Sequence, residues 1–408
     1  MTELLQSLIT IVLFILILGS LVLVHELGHF ITARMARVRV LEFGIGFPPR
    51  ARILGKGKPP AYDTGRPTPP LPALPPDVEP GTPEADEFYA VAARMEAERG
   101  GTLYTLNWLP IGGFVKMEGE DGDDGRDPHS FANAKLPVKL IILLAGVTMN
   151  LLLSFAIFTG IALTGEPAVG VSFGEVAPGS PAEAAGLQAG DTLVSINGNQ
   201  YSAFGRAFPL IENVGELAGE TVTLGVVHAD GSLEEYTVTL RVPTSPQQGA
   251  LGISQLDVVQ TGTITYTAAE AVQLGAARTA DAFSLILAGL GDLGRSIVTD
   301  PTSAPEASGP VGIAVQIGDI LWGLGPLYVL YMAGLLSANL ALVNILPFPP
   351  LDGGRMLVIL LKAIPRYGRR ISLRAEQLTY AVGFVALFTF LIWITVFDVA
   401  RQISGPTP

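Results

Sequence analysis

Four stretches of the chain run without a single Asp, Glu, Lys or Arg: Leu4 to Val24, Leu140 to Gly165, Ile320 to Leu351 and Leu378 to Phe397. A bilayer core of roughly 30 Å takes about 20 residues of helix at 1.5 Å each, so this pattern predicts four transmembrane helices. The first run has no basic residue before it, is about twice the length of a signal-peptide core and ends without a small-x-small cleavage site, which makes it a retained helix. Elsewhere the apolar positions fall into shorter patterns. Val38 to Phe47 and Thr102 to Gly119 mix β-branched and aromatic residues with Gly and Pro, the composition of short strands broken by bulges or tight turns. Val169 to Val242 read as a compact soluble module. Over Gly179 to Gln200 it runs turn, small helix, Gly-Asp turn, apolar strand and Asn-Gly hairpin turn, and two alternating strands about Asp-Gly follow. Ala268 to Leu293 carries an apolar stripe with few charges; it lies on the outer membrane surface or braces the third helix, and is not counted as a span.

At 49% hydrophobic and 15% charged residues the chain is too oily for a large soluble enzyme. Basic residues near the membrane mark its cytoplasmic loops. Arg34, Arg37, Arg39, Arg50 and Arg52 follow the first window, Lys116, Lys135 and Lys139 precede the second, and Lys362, Arg366, Arg369, Arg370 and Arg374 lie between the third and fourth. Glu166 to about Gln248, with ten acidic residues, two arginines and no lysine, then belongs on the outer side together with both termini. The net charge of −12 comes largely from this part and from an acidic insert, and it argues against a nucleic-acid partner. With no cysteine there are no disulfides and no thiolate ligands, while the compartment stays open.

In chain order the expected parts are a first transmembrane helix (1–36), cytoplasmic-side membrane-associated strands (37–136) with a Pro-rich insert (56–101), a second transmembrane helix (137–165) and the soluble module (166–248). A linker with the amphipathic helix (249–310), a third transmembrane helix (311–363), and a fourth with the C-terminus (364–408) complete it. The insert holds ten prolines between Pro59 and Pro83, an extended linker, followed by a short helix over Glu84 to Arg99. It has no catalytic role in this reading; a regulatory or partner-binding one stays open.

The first window ends in LVLVHELGHF, Leu21 to Phe30, where His25, Glu26 and His29 form H-E-x-x-H. On a helix, positions i and i+4 share a face, so two imidazoles can converge on one metal ion while Glu26 takes a proton from a water activated there. Zinc suits the set, given a carboxylate as third ligand and an open fourth position. An ionisable side chain in a membrane helix costs at least ~2.5 kcal/mol, so three together need a shared reason; a proton relay or a polar patch gluing two helices is the alternative. Arg34, about 13 Å along the helix from His25, puts the metal inside the membrane towards the cytoplasmic face. The missing ligand must be distant in sequence. Asp352 closes the third window in NILPFPPLDGGRM, Asn344 to Met356, where prolines break the helix and two glycines free the backbone. Broken backbone at membrane depth is tolerated where it lines a buried, wet site. Asp352 is either an N-cap for Arg355 to Ala363 or this ligand, and the unmatched histidine pair favours the ligand. Asn344 either hydrogen-bonds a neighbouring helix or faces the metal and holds substrate backbone or a developing oxyanion.

The module resembles a circularly permuted bacterial PDZ domain, most specifically over Gly179 to Gln200, which implies binding of a peptide or chain end at its groove; a β-rich spacer is the alternative. HELGH, LPIGGFVKM (Leu109 to Met117), this module, SGPVGIA (Ser308 to Ala314) and NILPFPPLDGG together resemble a site-two protease of the bacterial regulator-of-sigma-factor type, over nearly the whole chain and in order. The resemblance implies a membrane α-helical protein of about four transmembrane helices with an inserted extracytoplasmic PDZ (α+β) domain and a membrane-associated β-sheet. It implies a multi-pass intramembrane zinc metalloendopeptidase of the bacterial inner membrane, with membrane lipid and transmembrane substrates, such as anti-sigma factors or leftover signal peptides, as its partners. Carried over, the Zn2+ ligands are His25, His29 and Asp352, the catalytic glutamate is Glu26 and the active-site asparagine Asn344. The sheet around GGFVKM would pair its edge with unwound substrate. There is one PDZ-like module where some members have two, the insert is longer than the resemblance leads one to expect, and in AGVTMN (Ala145 to Asn150) valine stands where relatives often have proline while Asn150 matches. An inactive membrane scaffold is the competing reading, which the retained Glu26 argues against. A transporter with a polar relay would need ionisable residues along several helices, and windows two and four have none.

Overall fold

The computed structural model describes residues 2–57, 101–120, 129–204, 209–245, 248–299, 307–368 and 371–404. The Pro59–Pro83 linker and the Glu84–Arg99 helix expected from the sequence lie outside them. The chain divides into two units, Met1–Phe155 with Thr279–Pro408, and Ala156–Arg278.

In the first unit, helix α1 (Thr2–Met35) leads into strand β1 (Val40–Lys56), which pairs antiparallel with β2 (Leu103–Met117). The pairing shifts register repeatedly and doubles back, so that Phe43 lies opposite both Val115 and Tyr104. Buried Glu42 is held inside this sheet by Arg50 and by the Thr105 hydroxyl, which donates to it at 2.7 Å. Gly112, at φ +85°, lets β2 run against α1: a Cβ there would stand 2.7 Å from Val22 Cγ1. Helix α2 (Leu136–Thr164) begins in this unit, and its Ile142 and Leu143 pack with Ala33, Val38, Val40, Val115, Met117 and Phe131 in one core.

Four helices among the described residues are long and apolar enough to cross a membrane: Glu3–Met35, Leu136–Thr164, Pro326–Ile345 and Leu373–Ile403. Leu4, Leu8 and Leu16 on the first, and Leu378, Phe384 and Ile392 on the last, point outward, as they must where the solvent is lipid. The segment 311–363 carries the break expected at its prolines and a second, unexpected one at Gly325–Pro326. It is three helices, α6 (Pro310–Gly323), α7 (Pro326–Ile345) and α8 (Asp352–Ala363), numbered in chain order. Gly325 at φ +104° followed by Pro326 ends the first. Pro347, Pro349 and Pro350, which lack an N–H to continue the ladder, end the second. The fourth span is α9 (Leu373–Ser404).

The second unit is a six-stranded sheet with two short helices. It runs β3 (Glu166–Val176), α3 (Pro181–Ala185), β4 (Thr192–Ile196), β5 (Asn199–Ser202), α4 (Pro209–Glu216), β6 (Thr221–Val227), β7 (Leu233–Thr239) and β8 (Ile253–Ile264), in the spatial order β7-β6-β4-β5-β3-β8. Asn197 and Gly198, both at positive φ, make the two-residue turn between β4 and β5. Ser180 caps α3 by accepting the Glu183 N–H. Val171, Phe173, Leu193, Leu224 and Leu240 form the core. The sheet extends beyond the expected boundary at residue 248: β8, which falls in the stretch read as linker, pairs with β3 from Glu166 opposite Ile264 to Val176 opposite Ile253. The amphipathic segment is one helix, α5 (Ala268–Thr299), and its Arg278 forms a buried ion pair with Glu166.

Candidate metal centre

The last turns of α1 present His25 and His29 on one face, 5% exposed each, with their Nε2 atoms 3.1 Å apart. Asp352, the first residue of α8, brings Oδ2 to 2.9 Å from His25 Nε2 and 3.2 Å from His29 Nε2. Its side chain caps no backbone N–H; the N-cap of α8 is Leu351. Residues 327 positions apart therefore close a triangle of two nitrogens and one oxygen. In a tetrahedral zinc site, bonds of about 2.0–2.1 Å set such donors roughly 3.3 Å apart. The donor chemistry fits too. His29 Nδ1 donates to the Ile142 carbonyl at 2.8 Å, which leaves the lone pair of a neutral ring on Nε2, facing the other two donors. Among the described residues, His25, His29 and Asp352 form the one cluster with metal-ligating geometry.

The triangle forms one wall of a cavity of about 380 Å³, which is also lined by Glu26, Asn344, Phe114, Val115, Glu120 and Arg355. Glu26 Oε2 accepts the backbone N–H of Val115 in β2 at 3.1 Å, so the β1–β2 sheet holds this carboxylate at the cavity. Asn344 comes from the last turn of α7, just ahead of the proline break. Glu120 and Arg355 form an ion pair on the cavity wall.

Behind the histidines, α1 and α2 come close. A Cβ on Gly28 would run into the Ala145 backbone, and one on Gly146 would lie 2.5 Å from His29 Nε2 and 2.7 Å from His25 Cε1. Small residues that let membrane helices touch are a common packing device.

All five residues singled out in the sequence, His25, Glu26, His29, Asn344 and Asp352, line this single cavity. Sequence reasoning missed the Val115 N–H, the Ile142 carbonyl and the Glu120–Arg355 pair. Backbone partners leave no side-chain signature. Arg355, one turn beyond Asp352, carried a readable signal, since a charge so close to an intramembrane acid needs a partner.

The model for Peptidase family M50 matches residues 13–57 and 90–390. The chain is similar to the zinc metalloprotease RasP of Geobacillus kaustophilus, with 26% identity over 482 residues, covering 98% of this chain and 99% of that one. A Clostridium acetobutylicum protein provisionally named a zinc metalloprotease is 28% identical over 400 residues, covering 98% of this chain and 100% of its own. A Campylobacter jejuni protein with the same provisional name is 26% identical, covering 96% and 93%.

Proposed function

The chain belongs to peptidase family M50, and on that premise, a multi-pass membrane zinc metalloprotease, we propose that it hydrolyses peptide bonds within transmembrane segments at a zinc ion held by His25, His29 and Asp352. The observation that carries this is the convergence of these three donor atoms, all within 3.2 Å of one another, on the wall of a cavity that also holds the Glu26 carboxylate.

Bound zinc supplies a Lewis acid that polarises a carbonyl and lowers the pKa of water to near 7. Glu26 is the general base: its carboxylate, kept in place by the Val115 N–H, takes the proton of the attacking water and returns it to the leaving amine. Asn344 donates a hydrogen bond to the substrate backbone or to the oxyanion as charge develops. The sheet around Gly112 to Met117 receives the unwound substrate at its edge as an added strand. A helical substrate must unwind to reach it, so helices interrupted by Gly, Pro or Ser, which have weak helix propensity, are cut most readily.

The natural substrates in this reading are single transmembrane segments, of an anti-sigma factor or a leftover signal peptide, in the bacterial inner membrane. The six-stranded unit acts outside the cytoplasm as a PDZ domain. Its terminal strand β8, which among the described residues pairs with β3 alone, offers the edge to which a peptide end adds.

The test uses the full chain in detergent, with zinc content measured and cleavage of a model membrane-spanning substrate followed. Glu26→Gln is expected to keep one zinc per chain and to slow cleavage by about 10²–10⁴-fold. Equal cleavage by both proteins would overturn the role of Glu26, and absence of zinc from both would overturn the ligand set.

A further inference from the structure

AGVTMN, in the middle of α2, has no role in the function proposed above, yet it stands against both histidines. Ile142, Gly146 and Asn150 follow one another at intervals of four, so they share a face of α2 just as His25 and His29 share a face of α1. The Ile142 carbonyl accepts the Nδ1 proton of His29 at 2.8 Å. Gly146 leaves the space that both rings fill. Asn150 is fully buried with its side-chain amide 3.4 Å from His25 Nδ1, and its Oδ1 has no hydrogen-bond partner among the described residues. Its backbone carbonyl accepts the Ser337 hydroxyl of α7 at 2.8 Å, which fixes α2 at this residue. None of the three α2 residues lines the cavity.

A neutral imidazole has one N–H and one lone pair. For His25 the lone pair belongs on Nε2, which faces Asp352 Oδ2 and His29 Nε2. Nδ1 then carries the proton and needs an acceptor. The two ends of an amide are nearly the same size and shape, so a half-turn about the last side-chain bond brings the unpartnered Oδ1 of Asn150 to that proton. We propose that Asn150 is the positioning residue for His25: Oδ1 accepts Nδ1–H, fixing tautomer and ring orientation as the Ile142 carbonyl does for His29. An amide does this without adding a second buried anion to the one already on Asp352. One face of α2 thus orients both imidazoles, an outer layer of the kind that metal-binding histidines depend on. The inference rests on the ligand set proposed above.

The full chain in detergent, labelled with ¹⁵N-histidine and titrated with zinc, tests it. There are four histidines, His25, His29, His129 and His228, so each ring is assignable by single substitution. Zinc is expected to shift Nε2 of His25 and leave Nδ1 protonated. No zinc response at His25 would mean the ligand set itself is wrong; coordination through Nδ1 would overturn the role of Asn150 and leave the ligand set standing. Asn150→Leu, similar in shape but without the acceptor, is expected to weaken zinc binding by about 10–100-fold in competition with a chelator. Asn150→Asp keeps an acceptor oxygen and should bind zinc close to wild type. A leucine variant with undiminished affinity would refute the proposal. So would an aspartate variant as weak as leucine, the result expected if the amide serves packing alone.

Discussion

A Cβ added at Gly146 would stand 2.5 Å from His29 Nε2 and 2.7 Å from His25 Cε1, closer than carbon approaches any unbonded atom. The rings cannot retreat without breaking something, because His29 is tied to the Ile142 carbonyl and both meet Asp352. Gly146→Ala should therefore keep the helices and lose the metal. Zinc per chain is expected to fall from one to near zero while helix content, followed by circular dichroism, stays unchanged; full zinc occupancy in the alanine variant would show that the site tolerates what its geometry forbids. At this scale the sequence was legible wherever a residue contradicted its surroundings. Two histidines and a glutamate at the end of a lipid-like run, and an aspartate at the end of another, stand out because burying such groups needs a common cause. Gly146 and Asn150 contradict nothing, since glycine and a single amide are ordinary in membrane helices, and only their distances to the rings give them meaning.

Among the elements, α6 starts without a side-chain cap of its own, and a residue of another helix does that work. Asp398 in α9, 2% exposed, accepts the N–H of Gly312 at 2.8 Å and of Gly309 at 3.2 Å, setting a carboxylate at the positive end of α6. Asp398→Ala leaves the buried Gly309 N–H and the half-buried Gly312 N–H without this acceptor and should cost about 1–3 kcal/mol, read as a lowered unfolding midpoint in detergent; an unchanged midpoint would exclude the capping role. Asp398 escaped sequence reading because it lies one residue past the fourth uncharged window, where it looks like a loop charge. Strand β8 escaped for a related reason. As an edge strand it is mostly exposed, and ISQLDVVQTGTI shows no alternation of buried and polar positions for a pattern search to find. Within the same sheet His228 gives a pH signature. Its Nδ1 lies 2.8 Å from Asp191 Oδ1 and its Nε2 2.9 Å from the Tyr236 hydroxyl. The bond to Asp191 raises its pKa above the ordinary 6.5, with Glu234 and Asp230 acting in the same direction. A raised folded-state pKa gives stability that is complete below the unfolded value of about 6.5 and is lost as pH rises through the folded value. Amides of β4 and β6 should exchange more slowly relative to their intrinsic rates at pH 6 than at pH 9, and His228→Gln should remove that difference.

At the scale of the whole molecule, the four spans were legible because the bilayer sets one length and one composition for all of them. The break-up of the third window was half legible: its prolines announced an interruption near Asp352, whereas the glycine-proline step at Gly325–Pro326 lies inside an uncharged run with no charge beside it to mark a break. One property of the whole can be tested directly. Every residue assigned here to zinc or to catalysis, together with Ile142, Gly146 and Asn150, belongs to the first unit. The six-stranded sheet of the second unit begins at Glu166 and ends at Ile264, and these two residues sit opposite each other on neighbouring antiparallel strands. Opposed residues of this kind have Cα atoms about 4.5–5.5 Å apart, a gap that a two-residue hairpin turn closes. Replacing residues 167–263 by Asn-Gly should therefore leave α2 and α5 at their native separation and keep the Glu166–Arg278 pair intact. The shortened chain is expected to hold one zinc and to cleave a minimal transmembrane substrate, with Glu26→Gln still abolishing that cleavage. Loss of zinc from a shortened chain whose helices remain folded would mean that the six-stranded unit is part of the metal site's support, and that the chemistry is not confined to the membrane unit.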